Sequence, residues 1–408
     1  MPITLDLVQT VAFAGLVLFA GYGLRRVVPL LMRFNIPAPV AGALPVAAVL
    51  AWAHFTGRQL LVFDTTLQLP LMIAFFTSVG FGASMTLLRR GGVLVILFLV
   101  IAVIVTAMQN VVGAAAALVL GEHPLLGVLA GSTSMAGGPA TALAFAPFFE
   151  EAGIPGATSL AVAAAMAGIV AGGILGGPVG TYLIEKRARS LAPTVAVSGT
   201  MGNIAERQFD EPAPATPPGE DVEAYALLKH IVLMLVAMWL GAWVSGWIAA
   251  RGFTLPAYIG AMLVAAAMRN LDEITKVAGI SQRLIYDIGS VALALFLSMA
   301  LMTLRLWEVA GLAIPLVLIL LAQVAFVAVL ALTVVPRLMG RDYDAAVMAG
   351  GFCGFMLGTT ANAMANMGAL VERYGPAPRA YLVVPLVGAA FIDFFNAVLI
   401  TFFINVLR

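Results

Sequence analysis

The chain of 408 residues is 62% hydrophobic and only 10% charged, with a formal net charge of +1. Soluble domains carry about 25% charged residues, so a water-soluble globule is excluded; no basic patch is large enough to follow a phosphate backbone, so no nucleic-acid partner is expected. One cysteine, Cys353, rules out an intramolecular disulfide, and His54, His123 and His230 have no metal-ligand spacing.

The segment 1–7 has no basic cluster and carries Asp6, so the first apolar run reads as a retained helix, not a cleaved leader. Runs near the 20 or so residues that a bilayer demands predict crossing helices at 7–24, 38–56, 67–88, 92–120 and 157–183. A second set is predicted at 226–250, 255–270, 286–304, 310–335 and 380–405. Two segments, 124–149 and 343–368, are rich in Gly, Ala, Ser and Thr and are broken in the middle. Each reads as a re-entrant helical hairpin, enclosed by protein because broken backbone at membrane depth needs partners. The Pro-rich stretch after Phe209, FDEPAPATPPGEDVE, predicts a flexible cytoplasmic linker over 185–222.

Positive charge fixes the expected orientation. With the N-terminus outside and both hairpins returning to their own side, 17 of the 21 lysines and arginines fall inside, all but Arg58, Arg251, Arg305 and Arg408. A first hairpin that crossed fully would put Lys186, Arg187 and Arg189 outside. Each half then has five crossings and one hairpin, and an odd number inverts the second half. The expected fold is all-α and polytopic: two inverted repeats, 1–184 and 223–408, joined by the linker. Inverted repeats mark secondary transporters. Ile36-Pro37-Ala38 matches Leu255-Pro256-Ala257 at an offset of 219, and Gly121, Val128, Ala130, Gly131 and Thr141 match Gly340, Val347, Ala349, Gly350 and Thr360 at the same offset. Gln109 and Gln323 occupy the fourth helix of each half.

Hairpin tips offer N–H groups to carboxylates and carbonyls to Na⁺. The candidate substrate-binding residues are Ser132, Thr133, Ser134, Gly137, Gly138 and Thr141 at the first tip and Thr359, Thr360, Asn362 and Asn366 at the second. Gly358 joins the Na⁺ set through its backbone. Small residues also serve helix packing, which is the expected meaning of 166–180. Asp393, in the middle of the last predicted helix, is an intramembrane carboxylate and so a functional candidate for substrate or Na⁺. Asn396, three residues on, shares its face. Gln109 and Asn110 either line the pathway as Na⁺ ligands or tie two helices together. Asp64, Arg305 and Glu308 lie near helix ends, where charges reach water.

At these residues the chain resembles the bacterial glutamate:sodium symporter (ESS) family. The resemblance runs through IPAPVAG (36–42), LPLMIAFFTSVGF (69–81), MQN (108–110), VLAGSTSMAGG (128–138), LGGPV (175–179), LSMALMTLRLWE (297–308), MGRDYDAAVMAGGFCGFMLG (339–358), ANMGALVERYGP (365–376) and LVVPLVGAAFIDFFNAVLI (382–400). It implies Na⁺-driven glutamate uptake in a bacterial inner membrane, without an organic cofactor, by a homodimer whose transport domain moves as an elevator. The family's first tip is GGHGT-like where this chain has Gly137-Gly138-Pro139-Ala140-Thr141. Its second resembles GATPTA where this chain has Gly358-Thr359-Thr360-Ala361-Asn362-Ala363. These departures keep another small carboxylate open as cargo. An ion channel is the competing class, since two broken hairpins can also line a pore.

Overall fold

The computed structural model describes residues 2–58, 60–187, 222–251, 256–308 and 312–407. Asp6 opens the first helix, α1 (Leu7–Val27), with a reciprocal cap to Gln9. Pro29, which has no N–H to continue the ladder, closes it and starts the short α2 (Pro29–Arg33). α3 (Ala38–Phe55) follows Pro37. Two short strands, β1 (Ile3–Leu5) and β2 (Leu61–Phe63), pair in parallel beside the start of α1. Next come α4 (Gln68–Gly82), α5 (Met85–Arg90) and α6 (Gly92–Val119).

The first Gly/Ser/Thr-rich segment forms α7 (Pro124–Val128), a π-helical turn over Leu129–Thr133, and α8 (Gly138–Glu151). α9 (Ala157–Arg187) and α10 (Val222–Ala249) flank the linker. Helix thus continues through 185–187, and the remainder of the linker lies outside the described residues. α11 (Ala257–Thr275), α12 (Gln282–Met302) and α13 (Ala313–Leu338) follow. The second broken segment gives α14 (Tyr343–Leu357) and α15 (Thr360–Tyr374), and the chain closes with α16 (Pro378–Ala390) and α17 (Ile392–Leu407).

Among the described residues, seven helices are long and apolar enough to cross a bilayer: α1, α3, α6, α9, α10, α12 and α13. A bent pair, Pro378–Gly388 with Ile392–Leu407, turned by 43°, makes an eighth if its two arms form one span. The molecule is therefore a multi-pass membrane protein. Two further expected crossings are not among these apolar spans. The run 67–88 breaks at Ala83-Ser84, between α4 and α5. The run 255–270 extends to Thr275 as α11, which is polar at its end.

These two irregular pieces complete each other. Asn270 Nδ2 donates to the Ala83 carbonyl at 2.9 Å, and Asn270 Oδ1 accepts from the Met85 N–H at 2.9 Å. Glu273 accepts from the Ser84 hydroxyl and, at 3.3 Å, from the Thr86 N–H. Arg269 pairs with Glu273 at 3.0 Å. The backbone groups freed by the break in α4–α5 thus find partners on α11.

The helices pack in two groups. α1, α3 and α4 associate with α10, α11 and α12. α6, α7, α8 and α9 associate with α13, α14, α15, α16 and α17. Pairings across the halves are reciprocal: α4 lies on α11 and α12, and α3 lies on α12. In the other group α9 lies on α14 and α15, while α17 lies on α7 and the π-turn. An aromatic cluster spans the two groups. Tyr258 of α11 contacts Phe76 of α4 (ring centroids 4.8 Å apart) and Phe145 of α8 (5.3 Å).

α9 defines two ends of the molecule. Near its start, the Ser159 hydroxyl donates to the Arg305 carbonyl at 3.0 Å, and Glu150, at the end of α8, accepts from Thr158. At its far end Glu185 accepts from the Tyr374 hydroxyl at 2.9 Å, where α15 finishes. There the two ends of the α14–α15 pair are tied together. Tyr343 donates to the Gly375 carbonyl, Arg379 pairs with Asp342, and Asp344 accepts from the Arg379 N–H at 2.9 Å.

Candidate functional site

Both broken segments stop inside the second group, and their breaks meet. In the first, Gly131 leaves helical geometry (φ −87°, ψ −130°) within the π-turn. The groups it releases are taken up by neighbouring side chains. Asn110 Oδ1, from α6, accepts the Ser132 N–H at 3.1 Å. Asn396 Nδ2, from α17, donates to the Ser132 carbonyl at 3.0 Å. The Ser134 hydroxyl donates back to the Leu129 carbonyl at 2.7 Å. Gly138 starts α8 with a left-handed φ of +62°, which glycine adopts at little cost. A Cβ placed there would lie 3.5 Å from both the Gly358 carbonyl and Thr359 Cγ2.

The second break is Gly358 itself. Thr359 caps α15 by accepting the Asn362 N–H at 3.4 Å. Asn362 Nδ2 donates to the Ile169 carbonyl of α9 at 2.7 Å. Gln109 Nε2 crosses from α6 to the Met356 carbonyl at 3.0 Å, near the end of α14. A Cβ at Gly358 would sit 2.6 Å from Asn362 Nδ2, so the turn admits only glycine without rearrangement. Thr360 packs beside Gly388 of α16.

This bonding leaves a specific remainder. Among the described residues, Gln109 Oε1, Asn110 Nδ2, Ser132 Oγ, Thr133 Oγ1, Gln323 Oε1, Asn362 Oδ1 and Asn396 Oδ1 have no hydrogen-bond partner. All belong to side chains with 0% exposure. A buried polar atom left unpaired costs about 1–3 kcal/mol, and such atoms call for an explanation. Here six are oxygens and one is an amide nitrogen, three on the broken segments themselves and four on α6, α13 and α17, which pack against them. Neutral oxygens of this kind suit a hard monovalent cation, and the amide and hydroxyl donors suit a carboxylate.

The sequence-predicted residues divide accordingly. Gln109, Asn110, Ser132, Gly138, Gly358, Thr359, Asn362 and Asn396 are joined by direct contacts or one intervening residue. Thr133 is buried beside them. Gly137 packs on Thr141 and the Thr133 carbonyl. The Ser134 hydroxyl is spent on its own helix. Asn366 lies farther down α15 and donates to the Gly172 carbonyl of α9 at 2.9 Å. It sits on a glycine face of α9. A Cβ at Gly168, Gly172, Gly176 or Gly180 would press on Leu357, Gly354, Asn366 or Leu370 respectively. Packing is therefore what the 166–180 run does, and α9 approaches α14–α15 at backbone contact.

Asp393 is not in the middle of a continuous helix. The last span breaks at Phe391, and Asp393 falls in the first turn of α17, where the helix dipole favours an anion. It is half-buried, and among the described residues no hydrogen bond or ion pair reaches it. Asn396, one turn on, reaches Ser132. Gln323 joins this set without being marked by a motif. Its only signal in sequence is that it is a lone amide in an apolar helix, in the place Gln109 takes in α6.

Two clefts of about 770 and 700 Å³ open at the end of the molecule that holds Arg305. The smaller lies between the two helix groups, lined by Thr65, Gln68 and Thr303 on one side and Glu150 and Ser159 on the other. No residue of either break lines them, so the meeting point of the breaks is closed from both.

A multi-pass helical chain with two broken helices meeting at buried, unpaired polar groups belongs to the class of membrane transport proteins, not enzymes. The chain belongs to the sodium/glutamate symporter family, whose model matches residues 3–376. It is 39% identical over 402 residues to a sodium/glutamate symporter of Haemophilus influenzae, covering 98% of this chain and 97% of that one. It is 40% identical over 402 residues to sodium/glutamate symporters of Escherichia coli and Shigella flexneri, covering 98% of each chain.

Proposed function

We propose that the protein is a Na⁺-coupled glutamate symporter. The observation that carries this reading is the set of fully buried, unpaired side-chain oxygens where the two breaks meet. The relatives' names supply the cargo and ion. Na⁺ is taken as the coupling ion, held by the free side-chain oxygens of Gln109, Asn362 and Asn396 and by the Gly358 backbone, with Asp393 close by. The substrate carboxylates are taken by donors of Asn110, Ser132, Thr133, Gly138, Thr141, Thr359 and Thr360. Each positive charge carried inward gains about 2.3 kcal/mol per 100 mV. No organic cofactor enters this cycle.

The two broken segments act as re-entrant hairpins of inverted repeats, 1–184 and 223–408. Support comes from the reciprocal helix pairings and from α9, since one broken pair ends beside its start and the other beside its finish. The termini then lie outside a bacterial inner membrane, with the linker in the cytoplasm. The α6–α9 and α13–α17 group moves as an elevator against the other, which is the subunit contact of a homodimer.

Purified protein in liposomes accumulates labelled glutamate when an inward Na⁺ gradient is imposed. Uptake indifferent to Na⁺ would remove the coupling, and preferential competition by another small carboxylate would reassign the cargo. Conductance without concentrative uptake would favour the channel alternative. Asp393→Asn weakens apparent Na⁺ or substrate affinity about tenfold, roughly 1.4 kcal/mol, with folding intact. Wild-type kinetics in that variant would take Asp393 out of the site.

A further inference from the structure

Gln323 lies in α13, on the repeat opposite to Gln109, and has 0% exposure. Its Nε2 donates to the Gln109 carbonyl at 2.6 Å. That carbonyl is also 3.1 Å from where a Cβ of Gly131 would be, at the first break. Gln109 in turn donates its own Nε2 to the Met356 carbonyl, two residues before the second break. The bonds therefore run from α13 through α6 to both breaks. Gly113 of α6 makes the room, since a Cβ there would come 2.8 Å from Gln323 Nε2 and would strike the Gly127 carbonyl.

The orientation of both amides follows from these bonds. Each spends its NH₂ group on a backbone carbonyl, so each must present its oxygen elsewhere. Gln109 Oε1 and Gln323 Oε1 are both buried with no partner. If Gln323 served only to join two helices, the donor would suffice, and the unpaired oxygen would be a burden of about 1–3 kcal/mol. Carbonyl-type oxygens are suitable ligands for hard cations, and neither glutamine brings a charge that would demand a divalent ion.

We infer that Gln323 is a positioning residue and oxygen donor of the coupling-ion site: it fixes the Gln109 backbone at the first break and, with Gln109, offers an amide oxygen to a dehydrated Na⁺. This rests on the symport reading above. It adds a residue from the second repeat's fourth helix to the site, which makes occupancy by the ion depend on both halves of the chain.

The test is Na⁺-dependent thermal stabilisation of the purified protein at constant ionic strength, with choline replacing Na⁺, alongside the glutamate KM at saturating Na⁺. The wild type is stabilised by Na⁺. Gln323→Met, which keeps the volume and removes the oxygen, raises the Na⁺ concentration for half the effect about tenfold. The KM for glutamate at saturating Na⁺ stays within about twofold. If Gln323→Met fails to fold, Gln323→Glu decides, because its carboxylate retains the oxygens and adds charge: half the effect then needs several-fold less Na⁺. A Na⁺ response within about twofold of wild type in whichever variant folds would overturn the inference while leaving symport intact. A wild type indifferent to Na⁺ would overturn the symport reading and this inference with it.

Discussion

At the first break Ser132 gives its N–H to Asn110 and its carbonyl to Asn396, while its hydroxyl bonds nothing. Two positions on, the Ser134 hydroxyl is committed to the Leu129 carbonyl. The two serines look alike in GSTSMAGG, and only the fold separates their roles. Ser134→Ala is expected to lower the thermal midpoint, at about 1 kcal/mol for one lost hydrogen bond, and to leave apparent affinities near wild type. Ser132→Ala removes no protein bond, so it leaves the midpoint in place and weakens Na⁺ or glutamate affinity. Thermal unfolding and uptake kinetics on both variants check this, and the opposite pattern would exchange their roles. The polar residues of MQN and of both tips were legible in the sequence because each is expensive in an apolar setting. Gln323 was not, because a single amide in a 26-residue apolar helix looks the same whether it joins helices or meets a ligand. The place of Asn366 in the segment suggests a tip residue, but helical rise carries it away from the break and onto α9.

Among the elements, glycine patterning decides what can touch. α9 carries Gly168, Gly172, Gly176 and Gly180 at spacing four, on one face, and Gly173 and Gly177 on another. The first set packs on α14 and α15, and the second faces open space. Gly176→Ala would drive a methyl group into Asn366, an overpacking cost of about 1–3 kcal/mol, whereas Gly177→Ala leaves stability unchanged or slightly raised. Equal thermal midpoints for the two variants would contradict this packing. The α4–α5 break makes a pH-dependent joint with α11. Glu273 lies past Asn270, beyond the spanning part of α11. Burial alone would raise its pKa, but hydrogen bonds from Ser84, Thr86 and Arg269 hold it below the usual carboxylate value. A carboxylate depressed in the folded state stabilises above its unfolded pKa of about 4.3 and loses that contribution as pH falls through the folded value. Glu273→Gln therefore lowers the thermal midpoint at pH 7, and the difference from wild type shrinks below about pH 4. A difference independent of pH would place the effect elsewhere. The run 67–88 gave no sign of this break, since Gly82-Ala83-Ser84 continues a helix as readily as it ends one until Asn270 and Glu273 arrive to bond it.

At the scale of the molecule, apolar run lengths and charge placement made the multi-pass helical class legible, along with the two broken segments. The grouping of helices was not, because it depends on which faces meet across the linker, and those contacts join residues some 180 to 260 positions apart. The Tyr258, Phe76 and Phe145 cluster is where the two groups touch through aromatic rings. In an elevator cycle that contact must slide. Cysteines introduced at positions 145 and 258, with Cys353 replaced, are expected to stop uptake when cross-linked and to restore it on reduction. Full uptake by the cross-linked protein would rule out movement at this seam.

On the symport reading, the joined breaks form one Na⁺-dependent substrate site. Calorimetric titration of glutamate into the purified wild type and an Asn396→Leu variant, with and without Na⁺, tests it most directly. Asn396 ties α17 to the Ser132 carbonyl and carries an unpaired buried oxygen. The account predicts glutamate binding by the wild type only when Na⁺ is present, and binding weakened at least about tenfold in a variant that remains folded. Binding that needs no Na⁺, or that a folded Asn396→Leu protein keeps at full strength, would contradict it.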